Sequence, residues 1–216
     1  MAEDGDGGTA ARESAPDTPD EGPVGSTPDI LGVEGPDADA QAVLDFWFGE
    51  LTPKQWFSRD ATVDRTVSER FGTLAARVAT GGVPHWAGAP GGMLAAVIAL
   101  DQFPRNLYRD DPRAFASDDQ ALALADQAIR DGADKQMSAP AKQFLYMPFM
   151  HSEAIEDQDR AVALFETIGI EAARQSAHQH RDIIRRFGRF PHRNAVLGRE
   201  TTDEEAGFLE QPGSRF

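Results

Sequence analysis

The chain has 216 residues, 40% of them hydrophobic and 26% charged, a globular mix on the scale of about one domain. It contains no Cys, which excludes disulfides, Cys-zinc sites and thiol chemistry. The net charge of −15 is concentrated at the start, where residues 1–40 hold eleven Asp/Glu against one Arg, so the remainder is only mildly acidic.

The first segment, GDGGTAARESAPDTPDEGPVGSTPD, has almost nothing to bury and cannot offset its ordering entropy. Residues 1–36 are therefore expected to be a disordered acidic tail. Its composition suits a solubilising extension, with an acidic interaction tail as the alternative. MAEDGDGG lacks the basic and apolar regions of a signal peptide, and no apolar run approaches the ~18 residues a membrane span needs. A cytoplasmic protein without membrane attachment is expected, with residues 37–216 as a single all-helical domain.

Apolar spacing is helical almost throughout that domain. Asp37 or Asp39 can cap a helix carrying Val43, Leu44, Trp47 and Phe48. Thr62 can cap a second, with Val63, Val67, Phe71, Leu74 and Val78 on one stripe and Gly81-Gly82 as its stop. Met93 to Phe103 is short and nearly all apolar, which predicts a central buried helix; Gly91-Gly92 is a helix-start turn. Ser117-Asp118-Asp119 opens the next helix, which turns Leu122, Ala125 and Ile129 inward and ends before Gly132. Pro140 begins another, and Pro148 in its interior is expected to kink or divide it. Residues 157–169 and 171–187 continue the pattern, and Thr202 with Glu205 forms a capping box for a short last helix. The prediction is all-α, seven to nine helices in short antiparallel connections.

Two breaks share one pattern: Gln102-Phe103-Pro104-Arg105-Asn106 and Arg189-Phe190-Pro191-His192-Arg193-Asn194. The residue before a proline is pushed out of the helical region, so each helix is expected to end there. An Arg is then held just past a helix C-terminus by a stiff turn. It either binds the orphan carbonyls of its helix or presents a guanidinium fork to a carboxylate or phosphate.

Residues 174–199 carry Arg174, Arg181, Arg185, Arg186, Arg189, Arg193 and Arg199 with one acid, Asp182, and so form the expected anion-facing surface. His178 and His180 project to nearly opposite sides of a helix and cannot chelate one metal; His178 can pair with Asp182. His151 and His180 lie on inward stripes, where a core histidine with a satisfied hydrogen bond is the plainer reading. No zinc-protease, calcium-loop, phosphate-loop or nucleophile-elbow motif occurs, so neither metal nor cofactor is expected.

LDQFPRN, then FLYMPFMHSE, then HRDIIRRFGRFPHRNAVLGRETTDEE occur in that order. From about Val43 to the C-terminus the chain thereby resembles the bacterial "domain of unknown function 924" family. The resemblance implies an all-helical architecture related to tetratricopeptide-like arrays. No clear 34-residue period is present, so the implied form is an irregular array of antiparallel helix pairs. The blocks fall on Asp101, Gln102, Arg105, Asn106, His151, Glu153, His180, Arg189, His192, Arg193 and Asn194.

Two functions follow. In the first, a small anionic molecule is anchored in a cleft by Asp101, Gln102, Arg105, Asn106, Arg189, Arg193 and Asn194, with His151, Glu153, His180 and His192 as catalytic groups for proton transfer. In the second, a helical array grips an acidic peptide or protein with Arg181, Arg185 and Arg189 along one groove. The basic stretch matches no nucleic-acid motif, so nucleic acid is not an expected partner.

Overall fold

The computed structural model describes residues 26–214. It is 72% helical, with no strand among the described residues, as the spacing predicts. Eleven α-helical stretches occur among them: α1 (Thr27–Leu31), α2 (Ala38–Leu44), α3 (Pro53–Trp56), α4 (Ala61–Ala79), α5 (Pro90–Val97), α6 (Phe103–Leu107), α7 (Asp118–Arg130), α8 (Ala139–His151), α9 (Ile155–Phe165), α10 (Glu171–Phe187) and α11 (Asp203–Leu209). The excess over the expected seven to nine comes from short pieces, α1, α3 and α6, whose four or five residues are too few to show a helical period.

Side-chain caps mark the starts of α2, α3, α4 and α11. The Asp37 side chain accepts from the Ala40 amide at α2, and the Thr202–Glu205 capping box forms at α11. The second helix is capped by Asp60 rather than Thr62. Its carboxylate takes the Thr62 and Val63 amides, a stronger acceptor placed where two orphan donors converge. Gly132 and Gly188 adopt positive φ, 73° and 68°, just past α7 and α10.

Two π-helical segments, Asp45–Glu50 and Ile98–Gln102, were not legible from spacing. The second corrects the reading of Phe103-Pro104 as a stop. Phe103 stays helical, at φ −58° and ψ −38°, its amide bonds the carbonyl of Ile98 five residues back, and Pro104 sits in the first turn of α6. A widened turn before a proline relieves its clash with the preceding carbonyls, so the rod runs on from Pro90 to Leu107. α8 likewise passes undivided through Pro148. Only Phe190-Pro191 behaves as expected: Phe190 is extended, at ψ 107°, two residues beyond Gly188.

The core is centred on Phe46, Trp47, Phe71, Phe103 and Phe144, which meet with ring centroids 5.1–6.5 Å apart. Each such ring buried is worth about 1.5–3 kcal/mol. Helices α7, α8, α9 and α10 pack successively, and α5 lies against α2, α7 and α8. Ile183, Ile184 and Phe190 form a satellite cluster with Phe187 and Phe208.

Residues 26–36, expected in the tail, are among the described residues. Leu31 in α1 is fully buried and its carbonyl accepts from the Ser138 amide, while a Cβ on Gly91 would come within 1.8 Å of the Glu34 carbonyl, so residues 34–35 pack on α5. Residues 1–25 lie outside the described residues. No helix among the described residues is long and apolar enough to cross a membrane.

Candidate functional site

The π turn after α5 carries Asp101, whose side chain is fully buried. Its Oδ1 lies 2.7 Å from His151 Nδ1, at the end of α8, and its Oδ2 accepts from Gln102 Nε2. An ionised carboxylate only accepts, so His151 carries its proton on Nδ1 and Nε2 is its basic atom. One turn on, Arg105 approaches the same carboxylate at 4.0 Å.

Arg105 donates through Nη2 to Asp118 Oδ2 at 2.8 Å and through Nη1 to the Ala114 carbonyl. From the far end of the sequence, Arg193 Nη1 reaches that same Asp118 oxygen at 3.5 Å. Both guanidinium groups stack on one ring, Phe115, at 4.6 and 4.7 Å, and Arg193 also covers Phe190 at 4.7 Å. Arg193 is only 7% exposed, and its Nε is buried with no hydrogen-bond partner, as is Asp118 Oδ1. The imidazoles stand around this pair: the His151 and His180 centroids are 6.5 Å apart, and Phe190 lies 5.5 Å from His180 and 5.6 Å from His192.

Burial and local charge together set the protonation. Burial, then the neighbouring Arg105, lowers Arg193 to about 10. Burial and the Arg193 charge push His192 down to about 4, and burial with His151 pushes His180 down to about 3. Asp101 is held below the usual carboxylate range: its burial opposes ionisation, but His151, Arg105 and the Gln102 amide outweigh it. At neutral pH Arg193 thus stays protonated, Asp101 ionised, and His180 and His192 neutral.

The convergence includes Asp101, Gln102, Arg105, His151, His180, His192 and Arg193. It leaves out Asn106, which donates to Asp64 at 2.8 Å on α4, because the helix that runs on through Pro104 turns it there. Arg189 is paired with Glu205 at 2.6 Å, and Asn194 donates to the same Glu205. Glu153 is held by Arg199 at 2.7 and 3.0 Å and by the Phe190 amide at 2.8 Å. These contacts outweigh its burial and keep it ionised, so it braces the 190–199 segment rather than exchanging protons. His180 donates its Nδ1 proton to the Ser176 carbonyl and stays neutral, the core-histidine reading rather than a general acid.

The Arg-rich surface is largely neutralised within the chain. Arg181 and Arg185 face Asp159 at 3.7 and 2.8 Å, Arg186 pairs with Glu204 and Arg174 with Glu171. That removes the main support for an acidic-peptide groove. His178 pairs with Glu166, across the α9–α10 turn, and not with Asp182. No His/Asp/Glu group able to hold a metal occurs among the described residues.

Sequence reasoning misses Phe115 and Asp118, and places Arg199 only on the Arg-rich surface rather than against Glu153. Asp118 reads as an ordinary acid in a helix first turn, favourable to the dipole wherever it faces; neither it nor Phe115 carries a signal of its own.

Residues 43–213 match the family described as "Bacterial protein of unknown function (DUF924)". The solved structure of the protein of unknown function ATU0120 from Agrobacterium tumefaciens is similar, with 41% identity and a TM-score of 0.76 over 79% of this chain and 96% of that one. No curated protein matches the chain.

Proposed function

The chain belongs to the DUF924 family of bacterial proteins of unknown function, and for this member we propose binding of a small anion between Arg105 and Arg193, with His151 as the proton-transfer group beside it. The observation that carries this reading is the pairing of two guanidinium groups on one aromatic ring and one carboxylate oxygen, one of them 7% exposed with an orphaned Nε. Burying an Arg costs several kcal/mol, and one ion-pair contact at 3.5 Å, with the faces of Phe115 and Phe190, leaves its Nε without an acceptor. A ligand carboxylate or phosphate supplies the missing acceptor in the planar geometry the fork favours.

His151 adds chemistry to anchoring. Asp101 fixes its tautomer and stabilises the imidazolium once Nε2 has taken a proton, while the guanidinium pair holds the substrate's charge. His192 and His180, kept neutral by burial, serve as hydrogen-bonding walls.

The test is calorimetric titration with sodium phosphate, sodium acetate, sodium glycolate and glycine, beside the Arg193→Met variant. Saturable binding is expected for at least one anion, weakened about 30-fold or more by the substitution. Absence of binding by every anion, or equal binding by Arg193→Met, overturns the reading.

A further inference from the structure

The anion site has a second requirement that its pair of guanidinium groups alone does not express. Arg193 Nε is a buried donor without an acceptor, and Asp118 Oδ1 is a buried acceptor without a donor. They belong to the two members of one ion pair, whose nearest charged atoms, Arg193 Nη1 and Asp118 Oδ2, are 3.5 Å apart. A simple anion satisfies the first atom and repels the second. A small molecule that carries both an acceptor and a donor satisfies both.

Resting on the anion-site reading above, we infer that the ligand is a small carboxylate bearing a hydroxyl or ammonium group on the adjacent carbon. Its carboxylate meets the Arg105–Arg193 pair and its donor meets Asp118 Oδ1. Asp118 is then the specificity-determining residue. It is the first residue of α7, fixed by the helix start, and its other oxygen is already held by Arg105 at 2.8 Å. A buried acceptor left without its donor costs far more than a made bond gains, which is the physical basis for rejecting a ligand that lacks the group. The charge balance agrees. Asp101 and Asp118 already offset Arg105 and Arg193, so the ammonium form, a zwitterion that adds no net charge, disturbs the site less than acetate or a hydroxy acid, each of which adds one negative charge.

The experiment titrates the full chain with acetate, glycolate, glycine and inorganic phosphate at pH 7. Glycolate or glycine is expected to bind at least about tenfold more tightly than acetate, the worth of one hydrogen bond to a charged group. In Asp118→Asn, whose side-chain oxygen no longer carries charge, that preference is expected to fall below about threefold. Equal binding of acetate, glycolate and glycine overturns the inference while leaving the anion site intact, as does binding of phosphate with none of the carboxylates. Silence from all four probes overturns both. The wild-type comparison decides the matter even if Asp118→Asn does not fold.

Discussion

Arg105 and Arg193 converge on one atom: Asp118 Oδ2 lies 2.8 Å from the first and 3.5 Å from the second. They arrive by different routes, Arg105 on a helix that continues through a proline and Arg193 on a turn that a proline enforces. Like charges are brought together only where something holds them, and here the holders are Phe115 beneath both and Asp118 between them.

This arrangement predicts an asymmetry in stability. Arg193→Met replaces a buried charge by an apolar chain of similar reach and should change unfolding free energy by less than about 1.5 kcal/mol. Asp118→Asn leaves two guanidinium groups facing each other without their shared counter-ion and should cost about 2–4 kcal/mol. Urea denaturation of the two variants checks the order; a larger loss in Arg193→Met would mean that its cation–π packing outweighs the charge.

The histidines predict how stability depends on pH. His192 and His180 have folded values of about 4 and 3, against about 6.5 when unfolded. The unfolded chain therefore binds more protons below pH 6.5, and stability falls as pH drops through that range. Each histidine contributes a slope of about 1.4 kcal/mol per pH unit well below 6.5. Below about pH 4.5 the depressed carboxylates, Asp101 and Glu153 with Asp37, Asp111, Glu171 and Glu205, add to the loss in the same direction. Chemical denaturation at pH 7, 6 and 5 measures the slope, and His192→Gln is expected to halve it.

How much of this was legible in the sequence depends on the range of the signal. The stripe Val63–Val67–Phe71–Val78 and the Thr202–Glu205 box act within a few residues, and both took the form their spacing dictates. Arg105, His151, His192 and Arg193 could be nominated because prolines and motif blocks mark them. Pro104 was misread because the rule against helix before proline is local, whereas its relief comes from a widened turn upstream. Asp118 escaped because its importance lies wholly in what the fold sets opposite it.

Close backbone approach gives a prediction remote from the site. Gly91 admits the Glu34 carbonyl where any Cβ would stand 1.8 Å away. Gly91→Ala must push residues 34–35 off α5 and should cost about 2–3 kcal/mol, as overpacking does. Gly81, with open space around its Cβ position, provides the contrast, although its φ of 74° carries a smaller cost of its own. Thermal denaturation of both alanine variants separates crowding from backbone strain.

The brace behind the site predicts an effect on affinity without loss of any site charge. Glu153 ties Arg199 and the Phe190 amide to the end of α8, and so holds the segment bearing His192 and Arg193 against His151. Glu153→Gln keeps shape and one acceptor but loses the bidentate ion pair, which is partly exposed, with 28% of the Glu153 side chain accessible. Its direct cost to stability is therefore modest, about 1–2 kcal/mol after solvent screening. The larger consequence is positional: a guanidinium displaced by about 1 Å loses much of its worth to a bound anion, so affinity should fall about tenfold while the Arg105→Lys variant, with its brace intact, loses the fork geometry instead. Titration with phosphate, glycolate or glycine, using whichever binds the wild type, distinguishes these cases. Nuclear magnetic resonance of the histidine side chains supplies the second readout, because a loosened segment lets water reach His192 and raises its low pKa toward the ordinary value. A Glu153→Gln protein with unchanged affinity and an unchanged His192 titration would show that the satellite cluster of Ile183, Ile184 and Phe190 is sufficient to seat the segment by itself.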